Sequence, residues 1–69
     1  MIWHLEFYRV DRNGKWVGPH RVNQESSIED AVRKAEFLLQ NNTFPLVRAN
    51  LCLIKDKDGD VVRQVTTDS

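Results

Sequence analysis

One segment of this chain has the period of a helix, and the residues on either side of it have the period of strands. In "SSIEDAVRKAEFLLQNN", Ile28, Ala31, Val32, Ala35, Leu38 and Leu39 fall at the i, i+3, i+4, i+7 spacing of a single helical face. Ser26 with Glu29, or Ser27 with Asp30, provides an N-cap hydroxyl and an acid at the third helical position. Acids in the first turn also suit the helix dipole. Asn41, Asn42 and Pro45 are expected to end the helix, and Phe37, on the side opposite Ile28, is expected to face solvent. A single amphipathic helix can cover one face of one sheet, so whatever sheet the rest of the chain builds is left open on its other face.

The flanking segments supply that sheet. "IWHLEFYRV", residues 2 to 10, alternates, with Trp3, Leu5 and Phe7 on one side and His4, Glu6 and Tyr8 on the other. "DRNG" follows, a tight hairpin turn with Asp11 at its first position and Gly14 free to take positive φ. In the return strand, "KWVGPHRV", Gly18 and Pro19 should weaken the second half, and Pro19 places the strand at the sheet edge because it has no N–H for a ladder. After the helix, "LVRANLCLIK" is read with Val47, Ala49, Leu51 and Leu53 inward and Arg48, Asn50, Cys52 and Ile54 outward, and "DVVRQVT" is its partner. The expected fold is α+β: one domain over residues 1–69, ββαββ in order, an antiparallel sheet of two hairpins with one helix packed on one face.

A chain of 69 residues buries only about 60% of the surface its unfolded form exposes, so its core is marginal. Cys52 is the only cysteine, which leaves no internal disulfide to support that core. Ten basic residues balance ten acidic ones, whereas nucleic-acid binders usually carry a basic excess gathered on one face. Neither a signal peptide nor a run of eighteen apolar residues is recognisable. A cytoplasmic location is expected.

"IKDKDGDVV" sets Asp56, Asp58 and Asp60 at alternate positions, as the first ligands of an EF-hand loop are. Counted from Asp56, the place of the invariant glycine falls on Val61 and that of the bidentate glutamate on Thr67. The segment is therefore expected to be a type I turn with a glycine bulge, built like "DRNG", and not a metal site. His4, His20 and Cys52 match no zinc-ligand spacing. If the first and third strands are neighbours, His4, Glu6 and Tyr8 would share the helix-free face with Arg48, Asn50 and Cys52, the raw material for a nucleophile and base. A solvated sheet face carrying one small cysteine is the favoured reading. No catalytic, cofactor or metal residue is assigned.

A D-x-[N/D]-G hairpin followed by a helix opening Ser-x-x-Asp-Ala, as in "DRNGKWV" with "SIEDAVRKA", resembles the HicB-like antitoxin fold, whose small sheet and helix bind a partner toxin. The ending "LCLIKDKDGDVV" is similar to small uncharacterised alphaproteobacterial domains that finish with a strand, an Asp-x-Asp-Gly turn and a second strand. The resemblance implies a bacterial ββαββ domain and, through the antitoxins, a partner-binding role.

The function expected from the residues is a non-enzymatic interaction module, homodimeric or docked on a protein partner through the helix-free sheet face. Its candidate interface is Ile2, His4, Tyr8, Trp16, Arg48, Cys52 and Ile54. The alternative is a nucleic-acid-binding regulator using Arg9, Arg12, Lys15 and Arg48. A contiguous basic face would favour the regulator, and scattered charge the module.

Overall fold

The computed structural model describes residues 2–25, 27–41 and 49–67. Its elements run β1 (Ile2–Val10), β2 (Trp16–Glu25), α1 (Ile28–Asn41), β3 (Leu51–Lys55) and β4 (Val61–Thr66). The strands form one antiparallel sheet in the order β2-β1-β3-β4. The α+β class, the ββαββ order and the edge position of β2 are as the sequence predicts. Among the described residues, no helix is long and apolar enough to cross a membrane.

Both turns have the expected chemistry. Gly14 N donates to Asp11 O at 3.0 Å and Gly59 N to Asp56 O at 3.1 Å. Asp11 N pairs with Lys15 O, and Asp56 N with Asp60 O, each at 3.0 Å. In each turn the first aspartate's Oδ1 accepts two further backbone N–H bonds: Asn13 and Lys15 donate to Asp11, and Asp58 and Asp60 to Asp56. An Asx staple of this kind satisfies turn N–H groups that the ladder cannot reach. Gly14 and Gly59 hold φ of +80° and +87°, the left-handed region a glycine bulge requires.

Ser27 caps the helix, its Oγ accepting from Asp30 N at 3.3 Å and its carbonyl from Ala31 N at 3.1 Å. The alternative cap, Ser26, and the helix-ending residues Asn42 and Pro45 lie outside the described residues. Ala31, Ala35 and Leu39 are buried against the sheet, with Ile28, Val32 and Leu38 half-buried beside them. Phe37 faces solvent as expected.

Two features differ from the expectation. Gly18 and Pro19, expected to weaken the second half of the return strand, form a bulge opposite Tyr8, where the β1–β2 register shifts, and β2 continues past it in register to Glu25. Gly18 is required there: φ is +133°, and a Cβ would stand 2.8 Å from Phe7 O. The second difference concerns the phase of β3. Leu5 pairs with Ile54 and Phe7 with Cys52, so Cys52 and Ile54 join Leu5 and Phe7 on the helix-covered face, all four essentially fully buried. Leu51 and Leu53 oppose Tyr8 and Glu6 on the open face. Their expected outward and inward positions are therefore exchanged.

The cause is a one-residue slip at Asn50. Asn50 N donates to Tyr8 O at 2.9 Å, although Leu51 is the residue in register with Tyr8. Two residues thus face one, and a slip of one moves every later side chain to the other face. Ala49, before the slip, lies in the core as expected. The Asn50 amide fills the gap left in the ladder: its Nδ2 donates to Val10 O and its Oδ1 accepts from Val10 N, both at 2.9 Å.

Candidate functional site

The open face is organised around Glu6. As a central residue of β1 it is flanked on both sides by register partners, Arg21 on β2 and Leu53 on β3, and it is the one buried charged residue among those described. Burying a carboxylate is costly unless it is paired and hydrogen-bonded. Lys55 Nζ stands 2.9 Å from Glu6 Oε1, Arg21 Nε 3.6 Å from Oε2, and the Tyr8 hydroxyl donates to Oε1 at 2.8 Å. Burial alone pushes the Glu6 carboxyl up. The Lys55 and Tyr8 hydrogen bonds, with the Lys55 and Arg21 charges, outweigh it and hold the carboxyl below its ordinary value. Tyr8 is shifted the other way, up, by burial first and then by its bond to Glu6 and that residue's charge.

Apolar side chains flank this cluster. Trp16, 51% exposed, packs edge-to-face on Tyr8 with ring centroids 5.0 Å apart, inside the range of favourable aromatic pairs. Leu51, itself buried, and Leu53 stand beside Tyr8 and Glu6 in register on β3. His4 Nδ1 donates to Asn23 Oδ1 at 2.8 Å across the β1–β2 pair. Ile2, 47% exposed, continues the face to the far end of β1, where it borders an open concavity of about 770 Å³ with Trp3, Val62 and the Asp56 to Asp58 turn.

Of the expected interface, Ile2, His4, Tyr8 and Trp16 therefore come together on the open face. Cys52 and Ile54 do not; they are corrected to the core. Arg48 lies outside the described residues. The nucleophile-and-base grouping is not assembled either, because Cys52 lies across the sheet from His4 and Glu6, and burial pushes its thiol up to about 12. Lys55 and Arg21, which the sequence reading left out, complete the site. A glutamate in the middle of an apolar strand, with no cation assigned to it, was the available signal for both.

Opposite charges are neighbours at several places on the described surface. Arg21 and Lys55 bracket Glu6, Arg33 pairs with Asp30 at 3.8 Å, and Lys57 stands between Asp56 and Asp58. Arg12 and Lys15 sit in the first turn beside Asp11. Among the described residues, no group of three His, Cys, Asp or Glu side chains is placed to hold a metal ion.

No family model, no curated protein and no solved structure matches this chain. The HicB-like likeness rests on its turn, capping and core residues alone.

Proposed function

We propose that the chain is a non-enzymatic protein-interaction module that binds a partner protein on the open face of its sheet, through Trp16, Tyr8 and Arg21. The observation that carries this reading is the half-exposed Trp16 ring standing on Tyr8 beside the Glu6 cluster. Tryptophan, tyrosine and arginine are the residue types in which binding energy concentrates, and here Trp16 packs on Tyr8 while Arg21 and Tyr8 both contact Glu6. Glu6 is already satisfied inside the protein, so a partner covering the face meets no unpaired buried carboxylate. The neighbouring opposite charges support this reading over the nucleic-acid one, which calls for a continuous basic surface.

Site-specific photo-cross-linking in the native cell tests the proposal. A photoreactive residue at position 16 is expected to give one discrete protein adduct that an excess of unlabelled chain competes away, while the same residue at position 37, on the solvent side of α1, gives none. Equal adduct patterns from the two positions would remove the open face as the binding surface.

A further inference from the structure

The two edges of the sheet are built differently. The β2 edge carries the Gly18–Pro19 bulge, and Pro19 has no N–H to offer, both of which discourage strand addition. On the β4 edge the one irregularity lies at its start, between the residues facing Ile54 and Lys55; from Arg63 to Thr67 the strand runs in register, without proline or glycine and with a single charge.

The direction of its main-chain groups follows from the ladder. Thr67 N donates to Asn50 O at 3.2 Å, and the pairs Cys52 with Val65 and Ile54 with Arg63 continue that register two residues at a time. Arg63, Val65 and Thr67 therefore direct their N–H and C=O toward β3. Gln64 and Thr66, at the alternate positions, direct theirs outward. Next to this edge runs a shallow groove between α1 and β4. Glu29, Arg33 and Glu36 line it beside Arg63, Arg33 being paired with Asp30, and further along Glu36 and Gln40 line it beside Val65 and Thr67.

We propose that β4 pairs antiparallel with β4 of a second copy of this chain, joining the two sheets into one of eight strands. A two-fold axis perpendicular to the sheet relates the copies, so each residue faces one of the same side of the sheet. Centring the pair on Arg63 would set two guanidinium groups opposite each other, which is unfavourable. Centring it on Gln64 or on Val65 sets Arg63 opposite Val65 or Thr67 of the second copy. Both of those residues lie beside Glu36, so either register brings Arg63 of one copy to Glu36 on the helix of the other, twice over. That charge complementarity selects a second copy as the occupant. The proposal goes beyond the open-face reading and does not depend on it, since both helices fall on one side and both open faces on the other.

Sedimentation of the full chain from about 1 to 100 μM, a range bracketing affinities near 8 kcal/mol, combined with amide hydrogen exchange, tests it. The expected result is a dimer in which the Gln64 and Thr66 amides are protected and lose that protection on dilution. Gln64→Pro removes only an outward N–H, and is expected to remain folded and become monomeric. Arg63→Glu is expected to weaken the dimer at least about tenfold, and adding Glu36→Arg to restore it, a readout that holds even if the proline variant does not fold. A chain that stays monomeric to 100 μM overturns the proposal, with or without an extended peptide of another protein bound at this edge. So does a dimer whose Gln64 and Thr66 amides exchange freely, a folded Gln64→Pro variant that still dimerises, or a charge exchange that restores nothing.

Discussion

The two faces of this sheet are built from the same four strands and solve opposite problems. On the covered face, Leu5, Phe7, Cys52 and Ile54 meet Ala31, Ala35 and Leu39 of α1, and all seven are excluded from water. Small residues on the helix let it lie close to the sheet while the large ones come from the strands. On the open face no layer lies above the sheet among the described residues, and Glu6 is satisfied sideways, by Lys55 and Arg21 from the neighbouring strands and by Tyr8 along its own. The apolar core thus lies on one face, while the other carries a buried carboxylate compensated by two cations, with an aromatic pair at one end.

Phe7 tests this comparison most sharply. Phe7→Ala should cost about 3–5 kcal/mol, which rivals the whole stability of a domain this size, about 3–10 kcal/mol, and the variant should be largely unfolded by circular dichroism at 25 °C. Next comes Lys55→Ala, which leaves the Glu6 carboxylate with one fewer charge-assisted bond; a loss of about 1–3 kcal/mol is expected in urea denaturation. Retention of wild-type stability would mean that Arg21 and Tyr8 alone suffice.

The pH dependence of the same site is a smaller effect with a definite sign. The folded Glu6 carboxyl lies below its ordinary value of 4.5, so the native state binds fewer protons than the unfolded chain in that region. Its contribution is complete above the unfolded pKa and is lost as pH falls through the lowered folded one. Denaturation midpoints of the wild type and Glu6→Gln should therefore converge as pH is lowered from 6 toward 3. Divergence would show that the carboxylate is not stabilised. Trp16→Ala should have the least effect, about 1 kcal/mol, the scale of an aromatic pair; a loss matching that of Phe7→Ala would make the open face part of the core.

The helix, both turns and the edge position of β2 were legible in the sequence because each rests on local chemistry: a 3.6-residue period, an Asx-and-glycine turn, a proline without an N–H. The phase of β3 was not. "LCLI" is apolar at every position, as befits a strand in the middle of a sheet, so its alternation had to be carried forward from Ala49, and the Asn50 slip inverted it. An asparagine whose side chain replaces a strand's main-chain bonds leaves no pattern in the sequence. Lys55, in step with Leu51 and Leu53, was the one residue from which the phase could have been read. Its partner Glu6 lies on the face that the alternation of β1 predicts, but its burial has no signature in the local sequence.

The assignment of the two faces is tested most directly by the natural thiol. If Cys52 lies on the covered face, with its ionisation pushed up to about 12, iodoacetamide at pH 8 should modify it only through unfolding of the core. The reaction should then run at least about a hundredfold slower than in denaturant, the ratio that an opening free energy of about 3 kcal/mol imposes. Stoichiometric alkylation of the folded protein at the rate of a free thiol would place Cys52 on the open face and contradict this division of the sheet.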